Sequence, residues 1–264
     1  MMLWCDGAYD PAENMRRDTA LLAAAESGAE PVLRLFRFAP PGITLGMNQD
    51  PARELDLARC AADGVPWASR PTGGRAIFHA EEWTYALAAP LDDRDWGGGL
   101  SEAYARTSAL IVRSLLRLGI PAAFAPYAGP EPSPAARGHG GPAAPCFAST
   151  ARHEVVLDGR KLLGSAQRRT ARALLQQGSM LLGAGHLRLA DYLPLAEPRR
   201  QRVREALARA TATAAPWVGL EPPLERWADA LAAELGPRSR RVDAAAGVFL
   251  LTASGSGSYT APSL

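Results

Sequence analysis

The spacing of apolar and polar positions changes several times along this chain, and each change predicts an element. Asp10-Pro11-Ala12-Glu13 reads as a capping box with proline at the first helical position. A helix is therefore expected through Met15, Thr19 and Leu22 to about Glu26, with Gly28 as its stop. Val32 to Phe38 has strand composition, and Ile43-Thr44-Leu45-Gly46 follows a Pro40-Pro41-Gly42 turn. Pro51 to Ala62 reads as a second helix, with Leu55 and Ala58 inward and Cys60 a small core residue. Pro66 to Ser69 is a short strand that feeds Arg70-Pro71-Thr72-Gly73-Gly74-Arg75, and strands follow at Ala76 to His79 and Trp83 to Ala89. Tyr104, Ser108, Ile111, Leu115 and Leu118 keep spacings of three and four, which predicts a long helix capped by Ser101 and ended by Gly119.

The second half changes character. Ala128 to Pro145 is dominated by Gly, Pro, Ala and Ser, a length of loop that compact domains keep for lids or leave disordered. His153 to Leu157, then Asp158-Gly159, then Lys161 onward reads as a hairpin closed by a type I′ turn. Ala173 to Leu182 is a further strand. Helices are expected at about His186 to Leu193, Arg199 to Ala210 and Leu224 to Leu235, with a terminal strand over Gly247 to Thr252. Strands joined by short turns among helices imply an α+β fold, a mixed and largely antiparallel sheet flanked by helices. The domain reading is a catalytic core over 1–195, a helical extension over 196–252 packed on that core, and a flexible tail over 253–264.

Composition narrows the class. The chain has 264 residues, 47% hydrophobic and 21% charged, which suits a globular protein of one large domain, or of one domain plus a small appendage. A net charge of +2 does not argue for nucleic acid, and no apolar run approaches the ~20 residues of a membrane span. The N-terminus lacks the pattern of a signal peptide, so a cytosolic location is expected. Three cysteines, Cys5, Cys60 and Cys146, lie far apart without metal-ligand spacing. Arginine is dense at Arg168-Arg169-Thr170-Ala171-Arg172 and at Arg199 to Arg204; each run is a solvated face or a docking surface for an acidic partner.

Lys161 is the only lysine, while every other basic side chain apart from the four histidines is arginine. A surface cation could equally be arginine here, so a lone lysine points to a place that needs a compact amine. Cys146 follows the long loop. A thiol beside a cation becomes a nucleophile, and Lys161 is a candidate for that cation. His139 or His153 could serve as a base, though a lone histidine is more often a surface residue. Gly73-Gly74 would let backbone approach a ligand, or simply make a turn. Glu81 and Glu82, adjacent on a strand, point to opposite faces and cannot share a site.

Five segments in order carry a family resemblance. Arg70-Pro71-Thr72-Gly73-Gly74-Arg75-Ala76-Ile77-Phe78-His79, Glu82-Trp83-Thr84-Tyr85, Lys161-Leu162-Leu163-Gly164-Ser165-Ala166-Gln167, Leu175-Gln176-Gln177-Gly178-Ser179 and Leu45-Gly46-Met47-Asn48-Gln49 are similar to motifs of the biotin/lipoate protein ligase and octanoyltransferase superfamily. Cys146-Phe147 resembles its cysteine-dependent octanoyltransferase branch. Ser69 stands where the family often has arginine, Gln177 where it often has histidine, and Trp83 where leucine is usual.

The resemblance implies the class II biotin synthetase-like, or lipoate ligase, catalytic fold. It implies Cys146 and Lys161 as catalytic residues, and Arg70, Thr72, Gly73, Gly74, Arg75, His79, Gly164, Ser165 and Ala166 around the acyl substrate. No cofactor and no metal are implied. Octanoyl-acyl carrier protein would be the donor, and a lipoyl-domain protein such as glycine cleavage H protein or a 2-oxoacid dehydrogenase E2 the acceptor. Three alternatives stay open: an ATP-dependent lipoate-protein ligase, octanoyl transfer between lipoyl-domain proteins, and a non-catalytic binder of lipoyl groups or carrier protein.

Overall fold

A computed structural model describes residues 1–125 and 154–247. Cys146, His139, His153, the long loop, the strand expected to Thr252 and the 253–264 tail lie outside the described residues. Strand β1 (Met2–Tyr9) leads into helix α1 (Pro11–Glu26) and strands β2 (Val32–Phe38) and β3 (Gly42–Leu45). Short helices α2 (Pro51–Glu54) and α3 (Leu57–Ala62) precede β4 (Trp67–Ser69), β5 (Ile77–His79) and β6 (Glu82–Pro90). Helix α4 (Leu100–Arg117) is followed by β7 (Ala123–Phe124), β8 (Val155–Leu157), β9 (Arg160–Arg169) and β10 (Ala173–Leu181). A 3-10 segment (Gly185–Tyr192), helices α5 (Glu197–Ala210), α6 (Ala215–Val218) and α7 (Leu224–Leu235), and the edge strand β11 (Arg240–Val242) complete the frame.

Among the described residues the main sheet has eight strands in the order β11-β1-β2-β6-β10-β9-β8-β7, and a small sheet runs β4-β3-β5. Every pairing from β2 to β7 is antiparallel, while β1 pairs in parallel with β2 and β11. The expected mixed, largely antiparallel sheet is present.

The central strands are covered on both faces, so they are apolar almost throughout rather than alternating. On one face Leu33, Leu35, Trp83 and Tyr85 pack with Leu110 and Leu115 of α4 and Trp227 of α7. On the other, Phe36, Phe38 and Ala86 pack with Met15, Leu21 and Leu22 of α1. Trp83 and Trp227 are both fully buried and stack with ring centroids 5.5 Å apart. The bulk of Trp83 is thus accommodated by a side chain from α7.

Several expectations change. The single helix over Pro51 to Ala62 breaks at Leu55, which is extended so that its side chain is buried, and at Asp56, whose carboxylate accepts from Arg59 N at 3.1 Å to start α3. An aspartate in mid-run competes with helix continuation by capping a new one. Ala58 is consequently exposed while Cys60 is buried. Gly99 rather than Ser101 precedes the long helix, with Glu102 reaching back to its N–H. The sequence reading assigns no strand to the N-terminus, where β1 lies, nor to β7 or β11. Asp158 and Gly159 have φ of 50° and 71°, as the type I′ hairpin requires.

Candidate active site

A narrow cavity opens where the small sheet and α1 meet β2, β9 and β10. Met15, Phe36, Phe38 and Ile77 supply apolar wall. Gly164, Ser165, Ala166 and Gly178 bring backbone close on another side, and Arg70, Thr44, His79, Thr84, Gln177 and Ser179 add polar side chains. Gly178 is needed there: a Cβ would sit 2.3 Å from the Tyr85 ring and 2.7 Å from Ser165 Oγ. Beneath it, Tyr85 Oη and Ser165 Oγ are 2.9 Å apart, and Gln176 donates to Tyr85 Oη at 2.9 Å. Burial pushes the Tyr85 phenol up to about 12, so it stays a neutral hydroxyl.

The loop from Arg70 to Arg75 is shaped by its own arginine. Arg70 is buried, and its guanidinium donates to the carbonyls of Gly73 (3.1 and 2.9 Å), Arg75 (2.8 Å) and Thr44 (3.2 Å). Its planar fork of donors can gather several carbonyls in this way, as an ammonium could not. Gly46 lies so close beneath that a Cβ would meet Gly74 O at 2.1 Å, and Gly74 has φ of 96°. Gly73, by contrast, has nothing within 4 Å of where its Cβ would stand, leaving open space there.

Two buried polar chains lie next to the cavity. Thr44 Oγ1 is 2.7 Å from His79 Nε2, and His79 Nδ1 is 2.6 Å from Glu82 Oε1, which also accepts from Thr84 at 2.7 Å and Ser179 at 3.1 Å. Phe38 stacks on the imidazole at 3.9 Å. In the second chain, Thr72 donates to Gln177, Gln177 to Asp18 at 2.6 Å, and Arg34 to both Asp18 and Asp6. Burial pushes the Asp18 carboxyl up, opposed by Arg34 and by the hydrogen bond from Gln177.

Lys161 sits on β9, 3% exposed, and its Nζ donates to Glu154 Oε1 at 2.5 Å. Three residues further along the same strand, Gly164 enters the cavity wall. Of the site residues expected from sequence, Arg70, His79, Gly164, Ser165 and Ala166 line the cavity. Thr72 is buried beneath the loop, Gly73 and Gly74 form it, and Arg75 is exposed. Glu82 is buried and Glu81 is exposed at a turn with φ of 51°.

Sequence reasoning missed Thr44, Glu82, Asp18 and Glu154. Only Glu154 had a readable signal: the Asp158-Gly159 turn pairs Lys161 with Val156, which puts residue 154 diagonally across on the same face. The two remaining described thiols are poor nucleophiles. Burial pushes Cys5 up to about 11, helped by Glu225, and burial likewise raises Cys60. No cluster of metal-ligating side chains occurs among the described residues, nor a helix long and apolar enough to cross a membrane.

An apolar slot, walled partly by backbone and edged by buried polar chains, suits an aliphatic chain ending in a polar carbonyl group. The fold and cavity thus define a catalytic domain for acyl groups. The chain belongs to the lipoyl protein ligase A/B catalytic domain family, whose model matches residues 10–236. It is 34% identical over 228 residues, 86% of this chain and 82% of the relative, to octanoyltransferase LipM of Kyrpidia tusciae. It is 33% identical over 204 residues, 77% of this chain and 72% of the relative, to octanoyltransferase LipM of Halalkalibacterium halodurans. Among solved structures it resembles a bi-partite lipoate protein ligase from Thermoplasma acidophilum, with a TM-score of 0.66 and 19% identity over 91% of this chain and 86% of that one. A lipoate-protein ligase A bound with ATP gives 0.64 and 18%, over 91% and 88%. At these identities the structures establish the fold alone.

Proposed function

We propose that this protein is an octanoyltransferase of lipoate biosynthesis that moves an octanoyl group, through a cysteine acyl-enzyme, to a lysine of a lipoyl-domain protein. One observation carries the reading: β9 bears both the sole, buried lysine and, three residues on, the backbone wall of a narrow apolar slot. The identity to octanoyltransferases over most of both chains agrees with it.

In the first half-reaction the thiolate of Cys146, favoured by the Lys161 ammonium, attacks the thioester carbonyl of octanoyl-acyl carrier protein. The tetrahedral intermediate expels the carrier's thiolate, which takes up a proton, and the octanoyl group stays on sulfur. In the second, the neutral ε-amine of the acceptor lysine attacks that thioester. The Cys146 thiolate leaves, the new amide sheds a proton, and the enzyme is restored. A thioester already lies uphill of an amide, so a thiol relay needs no adenylate. Backbone N–H groups beside Gly164 and Gly178 are candidates to steady the oxyanion. Arg70, Thr72, Gly73, Gly74 and His79 shape the binding slot, and the exposed Arg75 flanks its loop. With Cys5 and Cys60 buried and their thiols pushed up, Cys146 is the remaining thiol for the relay.

Intact-mass spectrometry after incubation with octanoyl-carrier protein tests this. Wild type is expected to gain one octanoyl group, Cys146→Ser none, and Cys5→Ser one. A wild type that forms no adduct with either a carrier-protein or an octanoyl-lipoyl-domain donor overturns the relay. Amide formation from octanoic acid and Mg-ATP alone would identify a ligase instead.

A further inference from the structure

Glu154 and Lys161 are both buried, at 5% and 3%, and their side chains meet at 2.5 Å from adjacent strands. We propose that Glu154 is a positioning residue: it holds the sole lysine as an oriented ammonium at the root of the strand that walls the acyl slot. This rests on the transferase reading, in which Lys161 serves the reaction as a cation.

The physical case starts from desolvation. A lone ammonium at this depth would neutralise or swing its flexible stem toward water. A carboxylate in contact removes both escapes and fixes the direction of one N–H vector. Backbone pins both ends. Ala125 N donates to Glu154 O at 2.8 Å, and Ala212 N to Lys161 O at 2.9 Å. Asp158 and Arg160 are exposed at the hairpin turn. From the 3-10 segment, His186 places Nε2 3.1 Å from Thr211 Oγ1, and burial lowers its tendency to protonate. Near the end of α5, exposed Arg209 pairs with Glu205. Among the described residues, Glu154 brings a carboxylate into direct contact with Lys161. Its negative charge also weakens the pull of Lys161 on a nearby anion, so the two effects have opposite signs. Burial decides between them: an ammonium that is not held there exerts no pull.

Because Lys161 is the only lysine, protein grown on 15N-lysine gives a single side-chain ammonium signal by NMR. The expected result is a slowly exchanging signal in wild type, lost or exchanging at least tenfold faster in Glu154→Gln. In the same variant kcat should fall about tenfold to a hundredfold at unchanged KM, the scale of a misplaced catalytic group. Glu154→Asp, which keeps the charge on a shorter arm, should lie between the two. If Glu154→Gln does not fold, Glu154→Asp decides alone, and exchange as slow as in wild type overturns the proposal. Unchanged exchange or undiminished kcat in folded Glu154→Gln also overturns it. Failure of the underlying reading looks different: wild type then shows the protected ammonium but forms no octanoyl adduct.

Discussion

Thr72 Oγ1 donates to Gln177 Oε1 at 2.7 Å, tying the glycine loop that borders the slot to the strand at its back. The same amide donates to Asp18 Oδ2 at 2.6 Å, so one side chain satisfies a hydroxyl on one side and a carboxylate on the other. Gln177→Leu should orphan both and cost about 1–3 kcal/mol for the first of them alone. Gln177→His, with a ring nitrogen for each partner, should stay closer to wild type. Urea unfolding midpoints of the three proteins check the order, and a leucine variant as stable as wild type contradicts the role.

The two glycines of the slot separate packing from contact. Gly178→Ala drives a methyl into Tyr85 and Ser165, so both stability and octanoyl transfer should drop. Gly73→Ala meets nothing within 4 Å, so its melting temperature should stay within a degree or two of wild type. A large loss of transfer in a fully stable Gly73→Ala would place substrate against that loop; calorimetry and acyl-transfer rates read the two quantities separately.

The stacked indole of Trp227 belongs to α7, yet lies in the same apolar cluster as the sheet, with its Nε1 donating to Ser114 at 3.0 Å. Trp227→Ala should therefore cost about 3–5 kcal/mol, as for a large core aromatic. A chain ending at residue 195 would bare Trp83 and Tyr85 and should not give a dispersed NMR spectrum. A well-folded truncation would show that the core closes without α7.

Acid sensitivity has a contributor in Glu13 on the surface of α1. Hydrogen bonds and charge from Arg16 first and Arg17 next hold the Glu13 carboxyl down at about 2, from an ordinary 4.5. A depressed folded value means the stabilisation is present above about 4.5 and fades as pH falls toward 2. Glu13 keeps 28% of its side chain exposed, so solvent screening limits its worth to about 1 kcal/mol. Glu13→Gln should be slightly less stable than wild type at pH 7 and equal to it at pH 2. A gap that persists at pH 2 would mean the effect is packing.

Much of this fold could be read from local pattern, because local chemistry decides those parts. Val32–Phe38 and Leu224–Leu235 fall where composition and period put them, and Asp158-Gly159 closes the hairpin as its positive φ demands. β1 escaped because a strand buried on both faces by α1 and α7 carries no alternation to detect. β7 and β11 are two- and three-residue edges defined only by their partners.

The chain by itself determined which residues are special: a single lysine, a Gly-Gly loop after an arginine, and a Gly-Ser-Ala run. Those follow from residue chemistry, which acts over a few positions; which glycines have no room for a methyl does not. Only the tertiary structure decided what each of them touches. Arg70 turns inward to gather carbonyls, Gln177 bridges Thr72 to Asp18, and Lys161 is buried against Glu154. Such pairings depend on which strands lie side by side and how deeply, and burial sets the free energy of a charge far more than its neighbours in sequence do.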